Sequence, residues 1–319
     1  MRGVNRVAVV AGIVLAGALT LGQARDGDAI TNGLVWGSQK AVQGAQWVVA
    51  GVGRTISGFF NEGGASDASA QASAQRRDRD ESDQEGTDFV WRGAVGAGQT
   101  VEIKGINGDI IAEPSTGLQI EVRAEKRARR SDPEAVRIEV VEHAGGVTLC
   151  AVYPSSRGRE NTCEPGSGGR NRTRNNDVRV TFYVSVPEDV GFLGKTVNGD
   201  VLVHDLASDV DARSVNGDIE ISTTGFAKAS TVNGSIAAAM ERYDMESGLS
   251  FSTVNGSISL DLPDDVDADV DAKWVNGRLE TDLPLELIGR ASRRSVRGFL
   301  GDGGPELKLR TVNGSIHLF

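Results

Sequence analysis

The chain is short of several residue types that specialised chemistry needs. Its 319 residues include two cysteines and three histidines (His143, His204 and His317). That is too few ligands for a zinc-finger array or an iron–sulfur protein, so no metal and no cofactor is expected. Aromatic residues reach only 5% and prolines number 8. The core must therefore come from Val, Ile, Leu and Ala, within a hydrophobic share of 39%. Positive charge is also scarce: 34 Lys and Arg stand against 44 Asp and Glu, a formal charge of −10. Nucleic acid is not an expected partner, because phosphate binding wants a basic footprint.

What is present begins with an export pattern. Arg2 and Arg6 precede an apolar run from Val7 to Leu21, and Gly22-Gln23-Ala24 places small residues where a signal peptidase cuts. The run falls short of the ~20 residues that cross a bilayer, which favours a cleaved signal at 1–24 over a retained anchor. No cysteine lies near that site, so a lipoprotein is excluded. The expected destination is the periplasm, the cell surface or the medium. Export makes the two cysteines legible: Cys150 and Cys163 allow one intramolecular pairing around a loop rich in Gly, Pro, Asn and Arg. Two unrelated buried thiols are the alternative.

Residues 25–60 hold a helical periodicity through Val35, Val42, Ala45, Val49, Val52, Ile56 and Phe59. Gly37, Gly44, Gly51 and Gly58 add a second stripe at seven-residue steps. Such a stripe suits self-association or membrane contact through residues 30–60, yet glycine also weakens a helix, so a weakly helical leader is the rival reading. Residues 61–87 contain no Val, Ile, Leu, Met, Phe, Tyr, Trp or Cys and are expected to be a disordered linker. The folded domain is expected over 88–319.

In that domain one motif recurs. Ile106-Asn107-Gly108-Asp109-Ile110 is followed by copies centred on Asn198, Asn216, Asn233, Asn255, Asn276 and Asn313. From Asn198 the gaps are 18, 17, 22, 21 and 37, and the last divides at a degenerate copy, Val296-Arg297-Gly298. A period near 20 signals an array. Apolar residues alternate on both sides of each copy, as in Leu249 and Phe251 before Val254 and Ile258 and Leu260 after it, so each copy joins two half-buried strands. Asn-Gly predicts a tight corner with positive φ. Together these predict an all-β fold, a β-solenoid of roughly 20-residue coils in which equivalent Asn side chains form a ladder. The Thr before several of the valines (Thr196, Thr231, Thr253, Thr311) is expected to bond to backbone at the corner.

The repeat, with the opening Asp88, Phe89 and Trp91, resembles the bacterial putative-adhesin family of β-strand-repeat proteins of unknown function. The resemblance implies an exported envelope β-solenoid, and it brings no catalytic residues with it. Relatives with a related domain are linked to envelope-stress responses.

Candidate chemistry is sparse. Asp264, Asp265, Asp267, Asp269 and Asp271 alternate with Val266 and Val270, which reads as a solvated strand face, with calcium binding or paired-carboxylate catalysis as the sharper alternatives. The three histidines accompany no nucleophile motif. Asn233, Asn255 and Asn313 open Asn-Gly-Ser sequences, which match a glycosylation acceptor but are explained by the corner. Pro154 to Asn176 is a 23-residue excursion carrying Arg157, Arg159, Arg170, Arg172 and Arg174, near further bases at Arg123, Lys126, Arg127, Arg129 and Arg130. This local basic patch on an acidic protein suits an anionic partner. The expected role is non-enzymatic: a binding, adhesin-like or scaffold surface for an envelope component (glycan, lipid or protein). The alternatives are a carbohydrate-active enzyme on a β-helix and a membrane-tethered stress sensor.

Overall fold

The computed structural model describes residues 83–155, 158–242, 248–289 and 292–319. The expected signal peptide, the glycine-striped segment, the linker up to 82 and Arg157 lie outside the described residues. The described part is almost wholly β, with one 3₁₀ turn at Pro133–Ala135. Two 11-stranded sheets face each other across one core.

Seven coils follow the motif, each a strand, an Asn-Gly corner and a second strand. Coil 1 is Thr100–Lys104 with Ile110–Pro114, coil 2 Gly191–Lys195 with Val201–Leu206, and coil 3 Val210–Arg213 with Ile219–Thr223. Coil 4 is Ala227–Ser230 with Ile236–Met240, and coil 5 Leu249–Ser252 with Ile258–Asp261. Coil 6 is Ala268–Lys273 with Leu279–Thr281, and coil 7 Glu306–Arg310 with Ile316–Leu318. First strands pair in parallel with first strands and second with second, so each coil lies about 4.8 Å from the next. Inward residues alternate along every strand, and Ile110, Val201, Ile219, Ile236, Ile258 and Ile316 form one buried column. No coil can bury its own inner face, which is why the stack folds as a unit.

The spatial order departs from the chain order. Coil 7 sits between coils 5 and 6, pairing with coil 5 on one side and coil 6 on the other. The degenerate copy is not a corner. Val296, Arg297 and Gly298 lie inside Ser295–Leu300, an antiparallel strand that pairs with Ala268–Lys273 of coil 6. The strand Glu286–Leu287 flanks it in turn.

An eighth coil precedes the first and carries no Asn-Gly. Gly146–Val152 pairs in parallel with the first strand of coil 1, and Arg179–Val186 with its second. Phe182 stands in register with Ile110, so Val178-Arg179-Val180-Thr181-Phe182 takes the place of the motif. The excursion is the corner of this coil. Beyond it, antiparallel strands Ile120–Ala128 and Arg137–His143 close both sheets. Phe89–Gly93 and Gln84–Glu85 pair with Ile120–Ala128, so the expected linker does not extend through Gln84 and Glu85.

The corner differs from the expected tight turn. No Asn of the motif has positive φ, and at Gly199 and Gly256 φ is 159°, close to fully extended. Gly108, at 118°, keeps a clearly positive φ, and along the rest of the stack glycine is required by proximity instead. A Cβ on Gly217 would stand 1.9 Å from the Gly199 carbonyl oxygen, and one on Gly234 would stand 2.0 Å from that of Gly217. Successive corners stack too closely for any side chain at this position.

Candidate binding surface

The corners present three parallel columns. In the first, each Asn side chain donates to the Asn of the preceding rung. Asn198 donates to Asn107, Asn216 to Asn198, Asn233 to Asn216, Asn255 to Asn233, Asn313 to Asn255 and Asn276 to Asn313, at 2.7–2.8 Å. All seven predicted Asn residues thus stand in one row of about 29 Å, at about 4.8 Å per step. Second, Thr196, Ser214, Thr231, Thr253 and Thr311 are buried and donate their hydroxyls to the glycine carbonyl one coil back. Third, Asp109, Asp200, Asp218, Ser235 and Ser257 accept from the backbone N–H one coil ahead. Coil 6 breaks the pattern with Trp274 and Arg278 at the second and third positions. It is last in space, so no further coil needs an acceptor at the third position, while Trp274 in the second leaves the Gly314 carbonyl of coil 7 without the hydroxyl that the other corners supply. Val197, Val215, Val232, Val254, Val275 and Val312 point outward from the same corners.

At coil 1 the row meets the excursion. The Asn107 amide approaches the carbonyls of Asn176 and Val178, and the buried Tyr153 hydroxyl donates to Val178 O at 2.9 Å. Burial pushes the Tyr153 phenol well above its usual range, only partly opposed by the hydrogen bond with Asn107. The described part of the excursion is pinned at several points. Cys150 and Cys163 form a disulfide. The buried Asn161 donates to the Tyr153 and Arg172 carbonyls, and Asn171 donates to the Ala151 carbonyl. At its far end Asp177 accepts from the backbone of Arg129, Arg130 and Ser131. The Ser131 hydroxyl and these N–H groups hold the Asp177 carboxyl down at about 2.

A charged cluster fastens the excursion to the outer face of the stack. Glu102 is 4% exposed and accepts from Lys195 Nζ (2.7 Å), Gly166 N (2.8 Å) and Thr148 Oγ1 (2.9 Å). Burial alone would raise its pKa, but the hydrogen bonds from Lys195, Gly166 and Thr148 outweigh that, and it lies below the ordinary carboxylate value. Lys195 also donates to Gly166 O, while Lys104 donates to the Glu164 and Gly168 carbonyls. Burial lowers the Lys104 pKa, partly countered by Glu102. Glu102 and Lys195 are 93 residues apart and meet only through the parallel register Glu102↔Leu193 and Lys104↔Lys195. No local pattern marks them. The one legible signal was the excursion itself, too long and too rich in arginine to be a plain connection.

Between this cluster and the corners of coils 1–3 runs a groove of about 660 Å³. Lys104, Lys195, Arg213 and Arg170 supply its cations, and Ile106, Leu193, Val197 and Val215 its apolar wall. Among the described residues no carboxylate lines it. The Arg170 Nε is buried without a hydrogen-bond partner. Of the predicted arginines, Arg170 faces this groove, while Arg159, Arg172 and Arg174 are exposed elsewhere on the excursion.

The aspartate strand has a structural occupation. Val266, Ala268 and Val270 are buried, Asp267 accepts from Asp302 N, and Asp269 from Gly304 N. Asp271 pairs with Arg310 at 2.6 Å. Among the described residues no His, Cys, Asp and Glu cluster has the spacing of a metal site. His143 bonds to Thr148 and His317 to Glu280.

Residues 195–318 match the Toastrack DUF4097 family, so the resemblance read from the Val-Asn-Gly repeat holds for coils 2 to 7. Two solved structures are similar at 12% identity. One is titled a putative cell adhesion protein from Clostridium sporogenes; the match covers 73% of this chain and 99% of that one, with a TM-score of 0.38. The other, titled a putative adhesin from Bacteroides fragilis, gives 73%, 97% and 0.24. At that level neither adds to what the fold already shows. No curated protein matches the sequence.

Proposed function

We propose that this chain is an exported, non-enzymatic β-solenoid that binds an anionic component of the bacterial envelope in the groove beside its arginine excursion. The observation that carries this reading is the groove's construction. Its wall is the one corner that abandons the repeat, it is fastened by a disulfide and a buried Glu102–Lys195 pair, and its lining holds four cations and no carboxylate. Lys195 and Lys104 share Glu102 and Arg213 is held by Asp211, so four cations stand against two carboxylates and the groove keeps an excess of positive charge that attracts negative groups. Export is supported by the charged, apolar and small-residue order of residues 1–24 and by the disulfide, which suits an oxidising compartment. A glycosidase needs two carboxylates facing one cleft, about 5–9 Å apart, and this groove offers none.

The test is binding of the full exported chain to an array of anionic and neutral glycans and lipids. Anionic ligands should bind and neutral analogues should not. The double variant Arg170→Gln/Arg213→Gln should weaken binding at least roughly tenfold, as loss of two charge-assisted contacts does. Binding that ignores both charge and variant would reject the groove.

A further inference from the structure

The chemistry that lines the groove continues beyond it. Lys195 and Arg213, two of its cations, occupy the same outward position on adjacent first strands. In register, that position passes through Ser230 and Ser252 to Arg310 and Lys273. This row of cations and hydroxyls contains no carboxylate. It runs about 24 Å, at about 4.8 Å per step. Asp211 and Asp271 stand one outward position farther from the corners, where they hold Arg213 and Arg310 at 2.6 Å. Glu306 lies one position farther still, in register with Asp269. The acids of this face thus fall on the far side of the row, and its corner side is left to the cations.

The apolar wall of the groove continues in the same way. Two residues beyond the row, and so on the same face, stands the Val of each motif. Val197 and Val215 line the groove. Val232, Val254, Val312 and Val275 follow them at 37–43% exposure. The Asn row comes next. Each of its amides uses one N–H on the neighbouring Asn and keeps a second. Charged groups, methyls and amides therefore run side by side and in step along coils 2 to 7.

We infer that the partner held in the groove is a linear anionic glycan that leaves the groove along this track. The inference rests on the groove reading above and extends it. An acidic sugar chain presents carboxylates, C–H faces and hydroxyls at short, regular intervals. The Lys and Arg side chains answer the carboxylates, Val the C–H faces, and Ser and Asn the hydroxyls. A polymer charged at every unit matches less well, because the middle of the row is Ser230 and Ser252 and the protein as a whole carries −10. The track is a sheet face and cannot enclose a ligand. It prolongs a contact that the groove begins, so each added unit binds at the effective concentration set by the first.

Isothermal titration calorimetry of the full exported chain with oligogalacturonates of two lengths tests this. The short one fits within the groove and the long one spans the row. The long oligomer should bind at least roughly tenfold more tightly. Lys273 and Val254 lie outside the groove lining. Lys273→Gln and Val254→Asp should each weaken the long oligomer roughly fivefold or more. Both should leave the short oligomer unchanged, which also shows that the variants fold. Equal affinity for the two lengths overturns the track and leaves the groove reading standing, and so does a length effect indifferent to both variants. Polyphosphate of the long length binding as tightly as the glycan overturns the choice of polymer. A short oligomer that does not bind rejects the groove reading itself, and the track with it.

Discussion

Mid-stack corners and the excursion are two answers to the same task, which is carrying the chain from one sheet to the other. Coils 2 to 5 use a few residues and repeat them, with each group satisfied by its copy one step away. The coil before coil 1 uses Tyr153 to Asp177 and satisfies its groups with unique partners: a disulfide, Tyr153, Asn161, Asn171 and Glu102. A repeated corner is stabilised by translation, so each residue in it is constrained by backbone on both sides. A unique corner is stabilised by side chains, so it is free to carry a surface that the repeat cannot.

That contrast can be broken most severely at a mid-stack glycine. Gly234→Ala places a Cβ 2.0 Å from the Gly217 carbonyl oxygen, and backbone cannot give way without parting two coils. A loss of at least ~3 kcal/mol is expected in denaturant unfolding. Gly117→Ala, where a Cβ meets nothing within 4 Å, should change stability little.

Next in size is the excursion's staple. Replacing Cys150 and Cys163 by Ser should cost about 3 kcal/mol on the loop-entropy treatment. Its location is the sharper reading: limited proteolysis should cut within 154–176 well before the stacked coils. Equal protection in the wild type and the variant would show that the hydrogen bonds alone hold the excursion.

The Asn row should show a position effect. Asn233 has side-chain bonds on both sides and Asn276 on one. Asn233→Ala should cost about 1–2 kcal/mol and Asn276→Ala about half that, measured by thermal or denaturant unfolding.

The smallest effect concerns pH. Glu102 has a lowered pKa when folded, so its contribution is present above the unfolded carboxylate value and is lost as pH falls through the lower folded value. Acid should therefore loosen the excursion, and Glu102→Gln should flatten that part of the stability–pH profile. Identical acid profiles for the two proteins would show that Glu102 is not the group responsible.

How much was legible follows from the same contrast. The coil strands and their buried faces were readable because alternation is local and the motif repeats. The hydroxyl before four of the valines was readable too, and Ser214 does the same work as those threonines. The eighth coil was not, because Val178 to Phe182 lacks the glycine that marks the others. In place of a stacked glycine, Gly108 meets the Val180 carbonyl there, 2.3 Å from where a Cβ would stand. The degenerate copy at Val296 misled because a Val-x-Gly triplet fits a strand interior as well as a corner. The placement of coil 7 between coils 5 and 6 was also invisible, since neighbouring coils need matching ladders and not neighbouring sequence.

Local chemistry in the chain determined that there would be coils, where the seven Asn-Gly coils would turn, and which face of their strands would be inside. Alternation and the Asn-Gly spacing act over a few residues and are written in order. Only the tertiary structure decided which coil lies on which, why glycine is needed at the corners, and that Glu102 would meet Lys195 beneath the excursion. Those outcomes depend on distances between backbones far apart in sequence, and parallel stacking alone brings them within reach.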